Sequence, residues 1–383
     1  MIYFDHASTS FKKPEEVSTS IYQALVNGIG NPGRGANEIS MSSARILQNG
    51  RNAVCRILEG LSPEQVIFKG SLTDALNTLL IGLLKEGDHV ISSVMEHNSV
   101  LRPLEHLKQN KIIEYDLLPC DENGKILIQD ISRLERPNTK AVILSQVSNL
   151  TGTIQPIGEI RNLLINKDVF IIIDTAQSAG YIKVNYQDLN IDGLAFTGHK
   201  GLLGPQGIGG FLLNERLNKA MEPVFTGGTG SDSLSLSQPD FLPDKFEAGT
   251  QNLLGILGLT KGIEYIENMC SIMRTPEYLS LVQFFMDSLS NFKNIELQGT
   301  YNLNDRIPTF SLIFTNMNPS EAAFLLERNY SIITRSGFHC APLAHKALGS
   351  IDTGSLRISF CHFTTRSDVL ELLRALDDLN NEV

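Results

Sequence analysis

The fold of this chain is best predicted from Leu194-Ala-Phe-Thr-Gly-His-Lys200, a short apolar run with a polar end. A glycine-rich stretch, Gly204-Pro-Gln-Gly-Ile-Gly-Gly210, follows it. The apolar run predicts a buried strand that ends just before Lys200. Open α/β sheets place their chemistry at the carboxyl ends of strands. A lysine desolvated there has a lowered pKa and can act as a Schiff-base nucleophile, although a lone lysine is more often a solvated surface residue.

A second apolar run, Val169-Phe-Ile-Ile-Ile-Asp174, ends in a carboxylate. Both runs are typical of buried strands in a parallel sheet, so we expect their ends at one edge of that sheet. A carboxylate near a Schiff-base lysine is the partner that a pyridinium nitrogen requires. The pair Asp174 and Lys200 therefore predicts a site for pyridoxal 5'-phosphate (PLP).

The bulk properties of the chain are those of an enzyme with a small-molecule substrate. Its 383 residues exceed the usual size of one core, so two domains are expected. The net charge of −10 argues against a nucleic-acid partner. Five scattered cysteines indicate a reducing compartment rather than a disulfide framework. With no signal-peptide pattern and no apolar stretch of about 20 residues, we expect a cytoplasmic protein without membrane contact.

Strands alternate with helical patterns up to about Leu253, which predicts an α/β domain with a mostly parallel mixed sheet flanked by helices. A smaller α+β domain is expected to follow. We predict domains over residues 13–255 and 256–383, with residues 1–12 packing near the second. The predicted helices are 73–84, 98–109, 157–166, 253–273 and 367–379, and the further strands are 66–68, 89–93, 141–145, 208–213, 309–314, 331–335 and 355–359.

The turn Gly70-Ser-Leu-Thr73 joins a predicted strand to a predicted helix. The free N–H groups and the positive dipole end of the helix face such a turn and suit a phosphate. Leu72 and Thr73 are therefore candidate phosphate-binding residues, with Thr197 and His199 beside Lys200 as further donors. On its own, the turn fits an ordinary helix N-cap better.

Three more polar side chains follow predicted strand ends. His97 could stack on a planar ring and move protons, Asn149 could reach a ring hydroxyl, and Gln177 could face the same ring. Singly, a loop histidine is more often solvated and Asn149 fits a turn. Because all of them fall at the same end of successive strands, we predict that they share one site.

A second group of candidate residues lies in Arg335-Ser-Gly-Phe-His-Cys-Ala-Pro342 and Gly354-Ser-Leu-Arg-Ile-Ser359. Cys340 follows a glycine, has His339 beside it and precedes a helix start, a setting that favours an exposed thiolate. Arg357 could bind a substrate carboxylate with both arms of its guanidinium. Taken one at a time, Cys340 is better explained as a structural cysteine and Arg357 as an ordinary ion-pair residue. We expect the other cysteines to be packing residues: Cys55, Cys120, Cys270 and Cys361.

With both groups of candidate residues considered together, the chain resembles the class V, fold-type I PLP enzymes. Among these it is most similar to the group II cysteine desulfurases and selenocysteine lyases. The cysteine segment distinguishes desulfurases from class V transaminases and epimerases. The resemblance runs nearly end to end and is carried by Tyr3-Phe-Asp-His-Ala-Ser, Asn31-Pro-Gly-Arg-Gly, Glu96-His97, Val147-Ser-Asn149, Asp174-Thr-Ala-Gln177, Thr197-Gly-His-Lys200, Phe246-Glu-Ala-Gly-Thr250 and Arg335-Ser-Gly-Phe-His-Cys340.

The resemblance implies roles for the residues around the cofactor ring. Lys200 would form the Schiff base, Asp174 would pair with the pyridinium, and His97 would stack on the ring. Asn149 and Gln177 would contact the ring hydroxyl.

It also implies how the phosphate is held. Thr73, Thr197 and His199 would bind it within one subunit, and Thr250 would reach it from the second subunit of a homodimer. The run Gly227-Gly-Thr-Gly-Ser231 resembles a hairpin that group II enzymes place near the neighbouring site.

On the substrate side, Cys340 matches the persulfide-forming cysteine and Arg357 the arginine that binds the substrate carboxylate. Ala7 and Arg34, in the first two motifs, and Asn149 are also expected to contact the substrate. Three positions depart from the pattern: histidine is frequent where Phe338 and Asn37 stand, and serine is usual where Thr197 stands. Because Phe338 and Asn37 are expected to line the substrate side, they bear on substrate preference.

The predicted reaction converts L-cysteine to L-alanine and leaves a persulfide on Cys340, which would pass to an acceptor protein for iron–sulfur or thio-cofactor synthesis. The alternatives are another class V enzyme, such as a selenocysteine lyase, an aminotransferase or a β-lyase, and a non-catalytic binding protein on the same fold. No metal is expected at the site.

Overall fold

The computed structural model describes residues 1–32, 37–232, 234–269 and 275–381. Its helices are α1 (Glu15–Asn27), α2 (Glu38–Ile57), α3 (Leu72–Leu83), α4 (Asn98–Gln109), α5 (Ile131–Leu134), α6 (Ile160–Leu163), α7 (Glu215–Ala220), α8 (Leu253–Asn268), α9 (Pro276–Leu289), α10 (Pro319–Tyr330), α11 (Pro342–Ala347) and α12 (Arg366–Asn381). Its strands are β1 (Ile2–Tyr3), β2 (Val66–Lys69), β3 (Asp88–Ser93), β4 (Ile113–Leu118), β5 (Thr139–Ser145), β6 (Phe170–Asp174), β7 (Gly193–Thr197), β8 (Gly209–Leu213), β9 (Ile295–Gln298), β10 (Thr309–Phe314), β11 (Ile332–Ile333), β12 (Arg335–Gly337) and β13 (Ser355–Ser359). Within the described ranges, no helix has the length and apolarity needed to cross a bilayer.

A seven-stranded sheet in the order β2-β8-β7-β6-β5-β3-β4 forms the centre of the molecule. All pairings in it are parallel except those of β8, which runs antiparallel to β2 and β7. Strands β6, β7 and β8 are buried along their whole length, which explains why they read as continuous apolar runs. The predicted mostly parallel mixed sheet with flanking helices is confirmed.

The register of the parallel strands brings the predicted site residues to one edge. Asp174, the last residue of β6, is the Cα partner of Ser145 in β5 and of Ala195 in β7. His97 and Lys200 lie just beyond the ends of β3 and β7. Because these strands run in the same direction, their carboxyl ends meet at the edge that carries Asp174.

A second, four-stranded antiparallel sheet has the order β12-β13-β10-β9. It shares an apolar core with α9, α10 and α12. Aromatic rings dominate that core: Phe285 lies 4.7 Å from Phe310 and 5.1 Å from Phe360, measured between ring centroids. The predicted strands Thr309–Phe314 and Ser355–Ser359 are confirmed.

Three predicted elements are wrong in extent. The helix predicted over 253–273 ends at Asn268, and residues 270–274 lie outside those that the structure describes. The single strand predicted over 331–335 is two strands, because Ile332–Ile333 pairs with β1 and Arg335–Gly337 pairs with β13. The helix predicted over 157–166 is a 3-10 turn followed by α6, which ends at Leu163. The Lys167 ammonium donates to three main-chain carbonyls of this segment and thereby caps it early.

The N-terminal segment connects the two sheets. Strand β1 pairs with β11, and the Ser359 N–H donates to the Phe4 carbonyl at 2.7 Å. A few residues later, the Ser10 N–H donates to the His199 carbonyl at 2.9 Å. Residues 2–10 therefore run from the second sheet to the turn that carries Lys200.

Candidate active site

A cavity of about 240 Å³ lies at the carboxyl edge of the central sheet. It is bordered on one side by the second sheet and on another by the N-terminal segment. The predicted site residues that line it are Ala7, Leu72, Thr73, His97, Asn149, Asp174, Gln177, Thr197, His199, Lys200 and Arg357. Cys340 and Thr250 are outside this lining, and Arg34 falls outside the described residues.

Lys200 follows β7 and faces the cavity. Burial lowers the pKa of its ammonium to about 8, although the nearby Asp174 carboxylate opposes the shift. A substantial fraction of this side chain is therefore a neutral amine, the reactive form, in the neutral to mildly alkaline range.

Asp174 is a buried carboxylate with few partners in the protein. It accepts from the Ala176 N–H at 2.8 Å and from the Ser99 hydroxyl at 3.4 Å. Burial raises its pKa, while the Ala176 N–H and Lys200 act in the opposite direction. A buried carboxylate in this position gains most from a cationic partner inside the cavity, such as a protonated ring nitrogen.

The side chains around the predicted ring position are neutral and held by hydrogen bonds. The Ser99 N–H donates to His97 Nδ1 at 2.9 Å, so the proton of the neutral imidazole lies on Nε2. Burial, together with Lys200, lowers the pKa of His97 to about 4. Asn149 Nδ2 donates to the His339 carbonyl at 2.7 Å, and Gln177 Nε2 donates to the Ala7 carbonyl at 2.9 Å.

The turn before α3 supplies the groups that suit a phosphate. Ser71 is the N-cap and accepts from the Asp74 N–H at 3.1 Å, so the capping role does not use the Thr73 hydroxyl. A Cβ at Gly209 would lie only 2.9–3.0 Å from the main chain of Ser71 and Leu72. Glycine at position 209 therefore allows the turn to pack directly on β8.

His199 closes the same end of the cavity. Its Nδ1 lies 3.0 Å from the Thr9 hydroxyl, and burial lowers its pKa to about 4, so the ring is a neutral hydrogen-bonding group. Thr197 is buried beside it at the end of β7.

Polar atoms without partners point to a polar ligand in this cavity. Buried polar atoms are normally satisfied, yet three buried atoms of cavity-lining residues have no hydrogen-bond partner within the described ranges: Gln177 Oε1, Arg357 Nε and His339 Nδ1. With an amine nucleophile, a buried carboxylate and a helix N-terminus in the same cavity, the residues present fit PLP.

Arg357 and Arg335 are neighbours at the cavity wall. They are Cα partners across β13 and β12. Arg357 donates to the Asn149 carbonyl at 3.0 Å and to the Asp5 carboxylate at 2.7 Å. Sequence reasoning placed Arg357 here but assigned no role to Arg335, because only the strand pairing reveals that the two lie side by side.

Cys340 lies on a groove next to the cavity. The groove, of about 350 Å³, runs between α3 and α4, and Thr73, His97 and Ser99 line both spaces. Cys340 has a left-handed backbone with φ of 56°. Its carbonyl accepts from the Asn98 N–H at 2.8 Å, which fixes the cysteine segment to the start of α4.

The expectation that His339 favours the thiolate of Cys340 is wrong. His339 is buried, its Nε2 lies 3.1 Å from the Ser355 carbonyl, and burial lowers its pKa to about 2. It is therefore neutral and supplies no positive charge. The nearby cation is Arg335, whose Nη2 lies 4.0 Å from Cys340 Sγ.

Phe338 and Asn37 do not line the cavity, contrary to expectation. Phe338 is about half exposed and packs edge-on against His345, with ring centroids 5.6 Å apart. Asn37 is the N-cap of α2 and accepts from the Ser40 N–H at 2.9 Å. Neither side chain belongs to the described lining of the cavity.

Glu96 belongs to one of the motifs of the sequence, but the sequence alone predicted no role for it. Its carboxylate accepts from the Ser93 hydroxyl at 2.6 Å, and from the N–H and hydroxyl of Ser145 at 2.9 and 2.6 Å. It thereby ties the ends of β3 and β5 together beside Asp174. Burial raises the pKa of Glu96 to about 7.

Two features expected at a subunit boundary lie away from the cavity. Thr250 is exposed and lines a separate depression with Lys69 and Phe225. The expected hairpin around 227–231 is an irregular exposed loop without strand pairing. The three glycines of this run, one of them Gly230 with a left-handed φ of 88°, favour a loop over paired strands.

The fold and the cavity together define a fold-type I PLP enzyme. The chain belongs to the aminotransferase class-V family, whose model matches residues 2–372, and members of this family depend on PLP.

Relatives over nearly the full chain carry a more specific description. A probable cysteine desulfurase of Halalkalibacterium halodurans is 30% identical over 98% of this chain and 92% of its own length. One of Pyrococcus abyssi is 28% identical over 99% of this chain and 94% of its own length.

Solved structures agree with the sequence relatives. The apo structure of a cysteine desulfurase from Thermococcus onnurineus is 29% identical and superposes with a TM-score of 0.93, covering 100% of this chain and 95% of that chain. A cysteine desulfurase of Escherichia coli in an S-sulfonic acid form is 27% identical with a TM-score of 0.87, covering 98% and 94%.

Proposed function

We propose that this protein is a PLP-dependent cysteine desulfurase that converts L-cysteine to L-alanine and takes the sulfur onto Cys340. The observation that carries this proposal is the arrangement of Lys200 and Asp174 in one cavity, with Arg357 on its wall and Cys340 on the adjoining groove. The full-length similarity to proteins described as cysteine desulfurases supports it.

The chain's own residues divide the chemistry between them. PLP, when bound, withdraws electrons from the substrate Cα. Lys200, with a pKa of about 8, provides a neutral amine that can remove the Cα proton. Asp174, a buried anion in the cavity, would hold the ring nitrogen of PLP in its protonated form. His97 would hold the ring as a neutral imidazole, and Asn149 would contact its hydroxyl.

The sulfur transfer step balances without any further reactant. The Cys340 thiolate attacks the sulfur of L-cysteine, so an S–S bond forms and the substrate C–S bond breaks. The electron pair of that bond returns to the substrate carbon, which takes a proton and becomes the methyl group of alanine. The products are L-alanine and a Cys340 persulfide, and the sum of atoms equals L-cysteine plus one thiol.

The remaining roles concern the phosphate and the partners. Thr73, Thr197 and His199 bind the phosphate, and Thr250 of a second copy completes the site in a homodimer. The exposure of Thr250, away from its own cavity, supports that arrangement. The persulfide passes to a sulfur-acceptor protein. Cysteines in the described residues are free, which supports a reducing, cytoplasmic location.

The products formed from L-cysteine test this function. With purified holoenzyme and excess reductant, we expect alanine and sulfide in equal amounts. Pyruvate and ammonia in place of alanine would identify a β-lyase, and conversion of the bound cofactor to its amine form with a keto acid product would identify an aminotransferase. A parallel assay with L-selenocysteine separates the two lyase activities: a kcat/KM that favours it by more than about 100-fold would contradict cysteine as the substrate.

A further inference from the structure

Ser8 lies between the two arginines of the cavity wall. It belongs to the N-terminal segment, which is anchored at the preceding residue: the Ala7 N–H donates to the Ser359 hydroxyl at 2.8 Å, and Gln177 Nε2 donates to the Ala7 carbonyl at 2.9 Å. The Ser8 side chain lines the cavity together with Arg335 and Arg357.

The Ser8 hydroxyl makes every hydrogen bond that a hydroxyl can make. Arg335 Nη1 and Arg357 Nη2 each donate to Ser8 Oγ at 2.8 Å, and Oγ lies 2.8 Å from Asp5 Oδ1. A guanidinium can only donate and a carboxylate can only accept, so the hydroxyl proton must point to Asp5. The group therefore has its two acceptor sites and its one donor site occupied.

This arrangement holds two like charges side by side. Asp5 forms an ion pair with Arg357 at 2.7 Å, and Arg335 acts on Arg357 as a repelling charge. One carboxylate thus faces two guanidinium groups, which leaves about one excess positive charge at this wall. The buried Nε of Arg357 has no acceptor among the residues that the structure describes. An anionic group in the cavity would balance the excess charge.

We propose that Ser8 is a positioning residue that sets the geometry of a two-arginine site for the α-carboxylate of the amino-acid substrate. The proposal rests on the function given above and adds Ser8 and Arg335 to the recognition of the substrate. Without the shared acceptor, Arg335 loses its bond to the N-terminal segment and the repulsion between the two guanidinium groups is no longer offset, while Arg357 keeps its bonds to Asp5 and Asn149. The loss of binding affinity is then confined to ligands that carry a carboxylate.

A pair of ligands that differ only in the carboxylate tests this role. L-cysteine and cysteamine share the amine and thiol, and their binding is measured from the initial change in cofactor absorbance on mixing with holoenzyme. For Ser8→Ala, we expect the dissociation constant of L-cysteine to rise about tenfold, equivalent to about 1.4 kcal/mol, and that of cysteamine to stay within about twofold. The KM for L-cysteine should rise by a similar factor, with kcat changed less.

Three further variants complete the test. Ser8→Thr keeps the hydroxyl and should restore L-cysteine binding to within about threefold of wild type. Ser8→Cys has nearly the same size but a weak acceptor, so it should behave like Ser8→Ala and replaces it if that variant does not fold. Ser18→Ala, an exposed serine of α1, should bind both ligands as wild type does.

Unchanged L-cysteine binding in Ser8→Ala and Ser8→Cys would overturn the proposal, and so would an equal loss for both ligands, which would indicate a purely structural role. These outcomes are separate from a failure of the proposed function. That failure would be seen in wild type, as L-cysteine binding without release of alanine and sulfide.

Discussion

Nη2 of Arg335 lies 4.0 Å from Sγ of Cys340, on the same cavity wall as Arg357. The thiolate is the form of cysteine that attacks sulfur, and a positive charge at this distance attracts the anionic sulfur. Arg335 thereby connects the substrate site to the sulfur acceptor through one guanidinium group, because its Nη1 is bound to Ser8.

We expect Arg335→Met to slow alkylation of Cys340 by iodoacetamide about fivefold at pH 7.5. The substitution keeps a long side chain but removes the positive charge beside Sγ, and a fivefold change in rate is equivalent to about 1 kcal/mol. Mass spectrometry of the Cys340 peptide over time measures the rate. Arg328→Met, on the exposed face of α10, serves as the control and should leave the rate unchanged. An unaltered rate in Arg335→Met would show that Arg335 does not activate the sulfur.

PLP should attach to Lys200, and attachment should follow the titration of that side chain. Burial lowers the Lys200 pKa to about 8. The fraction of Lys200 in the neutral, nucleophilic form therefore increases as pH rises through 8 and is nearly constant at higher pH. Apoprotein mixed briefly with PLP and reduced with borohydride should carry the label on the Lys200 peptide, with a yield that reaches its plateau near pH 9. A label on another lysine, or a yield still rising above pH 10, would contradict this assignment.

Asp174→Asn should retain PLP but lose about 100-fold or more in kcat. A neutral amide cannot hold the ring nitrogen protonated, and loss of one such charge contact costs about 3 kcal/mol in the transition state. Cofactor content is measured by absorbance and turnover by alanine formation. Asp192→Asn alters a buried carboxylate that is paired with Arg161 and Arg216 and does not line the cavity, so it provides the comparison for loss of folding alone. Asp174→Asn with cofactor bound and near wild-type turnover would refute the role.

Glu96→Gln should flatten the pH dependence of stability. The folded-state pKa of Glu96 is raised to about 7 from a usual value of 4.5, so its stabilising contribution is complete below pH 4.5 and is lost as pH rises through 7. That loss, on the order of 3 kcal/mol in full, is absent in the amide. Melting temperatures of wild type, Glu96→Gln and the exposed control Glu321→Gln are compared at pH 5 and 7.5. A decline in Glu96→Gln as steep as in wild type would contradict the assignment.

The residues at the ends of buried strands could be predicted from the sequence. An apolar run followed by a polar residue marks such an end, and the whole pattern lies within a few consecutive residues. Asp174, Lys200 and His97 were found in this way. The links between distant segments have no such signal. The bonds from Ser8 to Arg335 and from Glu96 to Ser145 join segments about 330 and 49 residues apart. They depend on how the N-terminal segment and the strands come together.

The same limit explains the errors. The run 331–335 is continuous in sequence, but its two halves pair with different strands. His339 looks like a cationic neighbour of Cys340 in sequence, whereas burial makes it neutral. The domain boundary at residue 255 and the roles of Thr250 and Arg34 stay predictions.

The central claim is that Cys340 accepts the substrate sulfur, and the most direct test is alanine formation from L-cysteine by wild type and Cys340→Ala. Cys120→Ala, which alters a half-buried cysteine far along the chain, is the matched control. Wild type and the control should form alanine and carry one added sulfur on the Cys340 peptide. Cys340→Ala should change the cofactor absorbance on binding L-cysteine, yet form almost no alanine and carry no added sulfur. Undiminished alanine and sulfide from Cys340→Ala would contradict the account.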